Sequence, residues 1–383
     1  MDFFYADNAA TSYPKPKEVA DSITNYLVNI GANVGRGSYK RAISASNTVY
    51  ETRELLCELF NFNEPMNVIF TSNITESINI IIKGFLKSGD HALVSSMEHN
   101  AVMRSLSSLS KSEVDYSIAK CSKEGFIDIN DLVSKIKSNT KLIIINHVSN
   151  VSGSIQKIQE ISKIANQRNI AFVIDSAQSA GVLPIDFKQL NLAALPFTGH
   201  KGLLGPEGTG GLLLTNEMAQ AINPLKYGGT GSDSSNIYQP DIMPDKFESG
   251  TLNIPGIFGL NAALKFIKRE GINNILSHEL EIGTLFLNNI LNISNIVLHG
   301  PRDMESRLSV FSITFKNIDN SEAAYLLDKD YNIMTRCGLH CSPLAHKTLE
   351  TYPGGTIRFS FGYFSNKTDI DYISECLLKL SKN

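Results

Sequence analysis

Low cysteine content, little net charge and the lack of long apolar runs limit what this sequence can encode. The five cysteines are odd in number and widely spread, which argues against a disulfide framework. A net charge of −3 gives no general attraction to nucleic acid phosphates. The apolar runs INIIIKGFL and KLIIINHV are too short to cross a bilayer, and the N-terminus has no apolar core of signal-peptide length. We therefore expect a cytoplasmic protein whose partners include neither nucleic acid nor membrane.

The order of hydrophobic segments predicts an α/β enzyme. With 383 residues, the chain exceeds what one compact core usually holds, and its 42% hydrophobic and 19% charged residues are typical of a soluble globular protein. From about residue 66, β-rich runs alternate with amphipathic helical stretches; the strand candidates are NVIFTS, HALVSS, KLIIINHV, AFVIDSA and LPFTGHK. This alternation predicts a largely parallel sheet covered by helices, with active-site residues just past the strand ends.

A change of pattern after the run GTLNIPGIFGLNAALKFIKRE predicts a second, smaller domain. Strand candidates such as RLSVFSITFKN and GTIRFSFGYF there alternate with two helix candidates. We predict a large domain over residues 16–253. The small α+β domain would combine residues 1–15 and 254–383 and carry the two closest cysteines.

A lysine and an acid at predicted strand ends are the first candidates for chemistry. Lys201 precedes a glycine-rich run, Asp175 ends the strand AFVID, and Gln178 follows three residues later. A solvated loop lysine, and an acid that pairs with a helix cap or an arginine, are the alternatives. Together with His200, these residues favour pyridoxal phosphate. That cofactor needs a lysine for its aldehyde, an acid at its ring nitrogen and a donor near its phenolic oxygen.

A phosphate site and a stacking histidine would complete such a centre. Asn73 and Glu76 resemble a capping box that places Thr75 in the first turn of a helix, where free N–H groups and the helix dipole attract an anion. His99 follows a strand candidate and is placed to stack on a planar ring. Taken alone, both signals are common in structural roles.

An ordered series of motifs along nearly the whole chain carries a family resemblance. The segments are DNAAT, NITES, MEHNAV, HVSNVSG, VIDSAQSAG, TGHKGLLGPEGTGGLL, FESGT, RCGLHC and TIRFSFGYF. The series resembles the class V aminotransferases, specifically the SufS-like cysteine desulfurases and selenocysteine lyases. The resemblance implies the fold type I of pyridoxal phosphate enzymes, with a mostly parallel seven-stranded sheet and a smaller C-terminal α+β domain.

The resemblance implies a cofactor role for each matching position. Lys201 matches the lysine that binds the cofactor aldehyde, Asp175 the acid at the pyridine nitrogen, and Gln178 the donor to the ring oxygen. His99 matches the catalytic histidine that stacks on the ring. The implied phosphate contacts are Thr75, Thr198, His200 and, from a second subunit, Thr251. Pyridoxal phosphate is thus the implied cofactor, and the implied assembly is a homodimer with shared active sites.

Substrate and nucleophile positions follow from the same resemblance. Asn150 and Arg358 match residues that hold the substrate, and a guanidinium suits its carboxylate. In RCGLHC the family pattern selects Cys341 as the nucleophile, whereas Cys337 falls on a variable position and is expected to be an inert thiol. The family uses no metal, and a second close pair of zinc ligands is missing. His340 is either the base that activates Cys341 or a structural residue.

These residues imply a cysteine desulfurase. It would convert L-cysteine into L-alanine and hold the sulfur as a persulfide on Cys341 for transfer to an acceptor protein. Leu339 and Gly35 depart from the family pattern, which often has histidines there, so the substrate is less secure than the cofactor. Selenocysteine lyase and cysteine sulfinate desulfinase are therefore alternatives. An aminotransferase or epimerase that uses Lys201 alone, and a cofactor-free sulfur-relay or scaffold protein, belong to other classes.

Overall fold

The structure is a computed structural model that describes residues 3–35, 37–232 and 235–382. The first strand, β1 (Phe4–Tyr5), is followed by helices α1 (Lys17–Asn25) and α2 (Lys40–Phe60). Helix α1 continues into one π-helical turn, Tyr26–Ile30, which ends at Gly31 with a left-handed φ of 52°. Glycine adopts this φ readily because it has no Cβ.

Seven strands form the main sheet: β2 (Val68–Thr71), β3 (His91–Ser95), β4 (Asp115–Ala119), β5 (Thr140–Asn146), β6 (Ala171–Asp175), β7 (Ala194–Thr198) and β8 (Gly210–Leu214). Their order is β2-β8-β7-β6-β5-β3-β4. Strand β8 is antiparallel to both of its neighbours, and the other pairs are parallel. The central strands are almost entirely buried and rich in branched apolar residues, as expected where helices cover both faces. The predicted mostly parallel seven-stranded sheet is confirmed.

Five helices connect and cover these strands: α3 (Ile74–Phe85), α4 (Asn100–Ser108), α5 (Ile129–Ser134), α6 (Ile158–Gln167) and α7 (Asn216–Ala221). Helix α6 buries Ile158, Ile161 and Ala165, which share one face at helical spacing. At the start of α3, Asn73 Oδ1 accepts a hydrogen bond from Glu76 N at 3.0 Å. The predicted N-cap of this helix is therefore confirmed.

Two long helices lead into the C-terminal part: α8 (Ile254–Glu270) and α9 (Ile272–Leu291). The remaining elements are β9 (Ile296–His299), β10 (Val310–Phe315), α10 (Asn320–Tyr331), β11 (Ile333–Met334), β12 (Arg336–Gly338), α11 (Pro343–Thr348), β13 (Thr356–Ser360) and α12 (Lys367–Leu380). A second sheet has the antiparallel order β12-β13-β10-β9. Strand β1 pairs in parallel with β11, so the N-terminus is attached to this part of the molecule.

Separate apolar clusters lie against the two sheets. The cluster of the C-terminal part contains Phe286, Phe311 and Phe359. Helix α8, by contrast, contributes Leu260 and Leu264 to the cluster of the main sheet. The domain division at residue 253 stays a prediction. Among the residues that the structure describes, no helix combines the length and apolarity needed to span a membrane.

Candidate active site

The carboxyl ends of the parallel strands carry several of the predicted site residues. Asp175 ends β6, Thr198 ends β7, and Lys201 lies in the turn that follows β7. His99 is the N-cap of α4, just after β3. Strands β3, β5, β6 and β7 are parallel and lie side by side, so these side chains meet at one edge of the sheet.

Lys201 lies where two loops cross closely. Gly181, with φ 85°, packs against the carbonyl of Gly202, and a Cβ at Gly181 would overlap that carbonyl. Burial lowers the pKa of Lys201 to about 8, although the nearby Asp175 carboxylate acts in the opposite direction. A substantial fraction of the amine is therefore neutral near pH 8 and able to accept a proton.

Asp175 is a buried acid close to Lys201. Its Oδ1 accepts a hydrogen bond from Ala177 N at 2.9 Å. Burial raises the pKa of Asp175, whereas the N–H of Ala177 and the charge of Lys201 lower it. A buried carboxylate is stabilised by a further cationic partner, and a protonated ring nitrogen has that chemistry.

Two of the predicted phosphate contacts have polar atoms that lack partners. Within the described part of the chain, Thr198 Oγ1 and His200 Nδ1 are buried and form no hydrogen bond. Burial lowers the pKa of His200 to about 4, so its ring is neutral. Thr75 lies in the first turn of α3, where main-chain N–H groups and the helix dipole favour an anion. Unpartnered polar atoms and a helix N-terminus together fit a phosphate group.

The N-terminal segment, residues 7–15, contacts both Gln178 and the lysine turn. Gln178 Nε2 donates to Ala9 O at 3.0 Å. Lys15 Nζ donates to His200 O at 2.6 Å, and burial lowers the pKa of Lys15 to about 8. Gln178 thus holds the N-terminal segment, and its role beside a cofactor ring stays a prediction.

His99 has a defined tautomer. Its Nδ1 accepts a hydrogen bond from Ala101 N at 3.0 Å, so the neutral ring carries its proton on Nε2. Burial lowers the pKa of His99 to about 4, and the positive charge of Lys201 adds to this effect. The ring is therefore neutral at physiological pH. A neutral, fixed imidazole suits the predicted stacking on a planar cofactor, which remains a prediction.

Glu98 is a site residue that the sequence reasoning missed. It is fully buried, and its Oε1 accepts hydrogen bonds from Ser95 Oγ at 2.5 Å and from Asn146 N at 3.1 Å. Burial raises the pKa of Glu98 to about 8, and the Asp175 carboxylate adds to this effect. Glu98 is therefore protonated at neutral pH. A signal was present in the sequence, since this acid directly follows an apolar strand candidate and precedes His99.

Replacing Glu98 with glutamine should stabilise the protein at alkaline pH. In the folded protein, Glu98 keeps its proton up to about pH 8. In the unfolded chain, where its pKa has the ordinary value of 4.5, Glu98 loses the proton at a much lower pH. Stability is therefore lost as the pH rises through this window, and a glutamine, which does not titrate, removes the loss. The thermal midpoint of Glu98→Gln should exceed that of the wild type by several degrees at about pH 8 and match it at about pH 5.

The control for this comparison is Glu375→Gln, which alters an exposed carboxylate on α12. Its thermal midpoint should follow that of the wild type at both pH values. A Glu98→Gln protein whose midpoint differs from the wild type equally at both pH values would contradict a protonated Glu98.

Arg358 lies on β13 between Asp7 and Asn150. Its Nη2 donates to Asp7 Oδ1 at 2.6 Å, and its Nη1 donates to Asn150 O at 3.0 Å. Its Nε is buried and has no partner among the described residues. Arg336 lies directly opposite it on β12. The Arg358 guanidinium therefore has N–H donors, Nε among them, beyond the two that these bonds use, and a carboxylate ligand suits them.

The cysteine turn, defined as residues 339–342, presents Cys341 at the surface. Cys341 is exposed, and Arg336 Nη2 donates to its Sγ at 3.4 Å. His340 and Cys341 have left-handed φ values of 48° and 60°. This conformation costs a non-glycine residue about 1–2 kcal/mol. The side chain of Asn150 contacts the turn on both sides of Cys341.

His340 has the contacts of a structural residue. It is buried, and its Nε2 lies 3.0 Å from Thr356 Oγ1 on β13. Burial lowers the pKa of His340 to about 2, with Arg358 acting in the same direction. Its Nδ1 has no partner among the described residues, so neither ring nitrogen is bonded to the sulfur of Cys341. Of the two interpretations of His340, these contacts support the structural one.

Cys337 is a half-buried residue of β12. It pairs with Ile357 across the second sheet and packs against the apolar cluster of the C-terminal part. Burial raises the pKa of Cys337, and all five cysteines are free thiols. In the ranges 3–35, 37–232 and 235–382, no three His, Cys, Asp or Glu side chains are grouped so that they could hold a metal ion.

Thr251 lies near the first turn of α3 rather than beside Lys201. It is exposed and lines a cavity with Glu76 and Lys226, whereas Lys201 lines a different cavity with Gln178. The cavity that Thr251 lines does not include Lys201 of the same chain. Its contribution to the site of a second subunit stays a prediction.

The sequence is similar to known proteins along nearly the whole chain. Residues 4–373 match the sequence model of the class-V aminotransferase family. A probable cysteine desulfurase of Methanothermobacter thermautotrophicus is 32% identical, over 99% of this chain and 95% of that protein. A probable cysteine desulfurase of Borreliella burgdorferi is 33% identical, over 99% of this chain and 92% of that protein.

Solved structures show the same similarity. The apo structure of a cysteine desulfurase from Thermococcus onnurineus superposes with a TM-score of 0.94 at 30% identity, covering 99% of this chain and 95% of that one. The cysteine desulfurase CsdA from Escherichia coli superposes with a TM-score of 0.89 at 25% identity, with the same coverage. The predicted fold type is confirmed by these superpositions.

Proposed function

Because this chain belongs to the class-V aminotransferase family and is similar along nearly its whole length to cysteine desulfurases, we propose that it converts L-cysteine into L-alanine. The sulfur would remain on Cys341 as a persulfide. One observation carries the proposal: a buried acid, an arginine with an unpartnered donor and an exposed thiol all lie close enough to the buried Lys201 to affect its pKa. An aminotransferase or epimerase does not need the exposed thiol for its reaction.

The residues of the cleft fit pyridoxal phosphate. Lys201 would bind its aldehyde, Asp175 its ring nitrogen, and His99 its ring face. The buried and unpartnered Thr198 Oγ1 and His200 Nδ1 would take phosphate oxygens. Bound there, the cofactor would supply an aldehyde for the substrate amine and a ring that withdraws electrons from the substrate carbons.

The protein's own residues account for the proton and sulfur steps. Lys201, with a pKa lowered to about 8, is suited to remove the α proton of the substrate. Cys341 attacks the substrate sulfur, so that a sulfur–sulfur bond forms and the carbon–sulfur bond breaks. The net change turns L-cysteine and the Cys341 thiol into L-alanine and a Cys341 persulfide. Sulfur is oxidised and the β carbon is reduced, so no external oxidant or reductant is needed.

Arg358, with Asn150, would hold the substrate carboxylate through its unpartnered Nε. Arg336 forms no ion pair with a carboxylate in the described residues, and it lies opposite Arg358. A second cation beside the thiol also favours L-cysteine sulfinate as a substrate, because the sulfinate group is anionic. Cysteine sulfinate desulfinase is therefore the second candidate function.

We also infer a cytoplasmic homodimer that passes sulfur to an acceptor protein. Several large apolar side chains in the segment before Thr251 are exposed in the single chain, as expected for a surface that a second subunit covers: Tyr227, Ile237, Tyr238 and Ile242. The exposure of Cys341 would allow an acceptor protein to reach the persulfide.

Product analysis tests the proposed function. Purified protein loaded with pyridoxal phosphate should release L-alanine from L-cysteine and, without an added thiol, carry one additional sulfur atom on Cys341. Mass spectrometry of the intact protein and of the peptide with Cys341 measures both products. A keto acid would indicate an aminotransferase, and a D-amino acid an epimerase. A protein that binds no cofactor and shows no visible absorption would indicate a scaffold.

A further inference from the structure

Both polar atoms of the Asn150 side-chain amide bond to the cysteine turn. Its Nδ2 donates to His340 O at 2.7 Å, and its Oδ1 accepts from Ser342 Oγ at 2.9 Å. These two partners lie directly before and directly after Cys341. The Asn150 amide and Ser342 are both buried, so water does not compete strongly for these bonds. One side chain thus holds the backbone before the thiol and the side chain of the residue after it.

We propose that Asn150 is a positioning residue that keeps the cysteine turn in its left-handed conformation until a substrate carboxylate binds. The φ values of 48° at His340 and 60° at Cys341 are unfavourable for residues with a Cβ, so they need surrounding contacts to persist. The bonds from Asn150 supply such contacts. A third contact, from Asn100 N to Cys341 O at 2.9 Å, links the turn to the start of α4.

The same asparagine is connected to the carboxylate anchor. Arg358 Nη1 donates to the main-chain oxygen of Asn150 at 3.0 Å, while Arg358 Nε is free. A carboxylate bound at Arg358 would therefore come close to Asn150. A charged oxygen is a stronger acceptor than the His340 carbonyl and would compete with it for the Nδ2 group, which weakens the bond to the turn. This part of the inference depends on the proposed function, whereas the holding role of Asn150 does not.

The Ser342→Ala variant separates this role from substrate binding. It removes only the hydroxyl that donates to Asn150 Oδ1 and leaves the Nδ2 donor available for a ligand. The rate at which iodoacetamide alkylates Cys341 reports how freely the turn moves, and peptide mass spectrometry distinguishes Cys341 from Cys337. Without ligand, Ser342→Ala should be alkylated about 2- to 10-fold faster than the wild type, the range expected for losing one hydrogen bond. Asn150→Ala should be at least as fast.

L-Alanine, which has the carboxylate but no sulfur, is the ligand probe. It should accelerate alkylation of the wild-type protein and have a smaller effect on Asn150→Ala. Ser321→Ala, a serine beside Cys337 rather than Cys341, is the matched control and should behave like the wild type. Equal ligand-free rates in the wild type, Ser342→Ala and Asn150→Ala would overturn the holding role. Equal acceleration by L-alanine in all three would overturn the coupling to the carboxylate.

The alkylation assay needs no turnover, so its failure is distinct from failure of the proposed function. If the protein forms no alanine from L-cysteine but Ser342→Ala is alkylated faster than the wild type, the holding role of Asn150 stands and the proposed function is wrong. If the protein forms alanine but Ser342→Ala is alkylated at the wild-type rate, the proposed function stands and the holding role is wrong. Thermal midpoints of the variants establish that each is folded before the rates are compared.

Discussion

The Lys201→Ala variant is expected to form alanine from L-cysteine at least about 10³-fold more slowly than the wild type, within the range attributed to a lost general base. Lys201 is a buried amine whose pKa is lowered to about 8, so it is the group best suited to move the α proton. Its loss should also remove the proposed covalent attachment of the cofactor. Quantifying alanine by chromatography, with pyridoxal phosphate in excess, measures the first effect. The visible absorption of the purified protein measures the second.

Two further variants show whether the loss is specific to this amine. Lys163→Ala removes an exposed lysine on α6 and should leave the rate unchanged. Lys201→Arg keeps a positive charge beside Asp175 but offers no nucleophilic amine, so it should lose as much activity as Lys201→Ala. If Lys201→Ala kept most of the wild-type rate, Lys201 would be neither the attachment site nor the base.

Much of the main sheet was predictable from hydrophobic runs, and its two missed strands have physical explanations. Strand β4 is an edge strand with several partly exposed residues, so its sequence DYSIA lacks a strong apolar signal. Strand β8 contains Gly210 and Gly211, which weaken a β prediction. A Cβ on Gly211 would overlap the ring of Phe197 on the neighbouring strand, so glycine is required by close packing there. Strand order depends on pairing between distant segments and was not predictable from spacing.

The same distinction applies to the candidate site: residues at strand ends were predictable from the sequence, whereas contacts between distant segments were not. Lys201 and Asp175 were identified because each ends or follows a strand, and parallel strand ends meet at one edge. The pairing of Asp7 with Arg358 joins residues at opposite ends of the chain, and no sequence pattern indicates it. The contacts of Asn150 with the cysteine turn are equally distant in sequence. Such contacts depend on how the C-terminal part packs against the main sheet.

The Cys341→Ala variant is expected to lose at least about 10²-fold of its alanine formation from L-cysteine and to form no persulfide, because no other thiol replaces the nucleophile. It should keep the visible absorption of the bound cofactor, since Lys201 and the proposed phosphate contacts are unchanged. If this variant still converts L-selenocysteine or L-cysteine sulfinate, the Cys341 thiol is needed only for the reaction that transfers sulfur from L-cysteine. The protein would then be a broader lyase.

Cys337→Ala is the matched control, because it removes a thiol only four positions away in the chain. The Cys337 side chain packs against the apolar cluster of the C-terminal part, and burial raises its pKa, which disfavours the reactive thiolate. The variant should therefore form alanine and persulfide at the wild-type rate. If Cys337→Ala lost persulfide while Cys341→Ala kept it, the nucleophile would be the buried cysteine. The turn would then have to unfold for sulfur transfer, which the hydrogen bonds from Asn150 and Asn100 oppose.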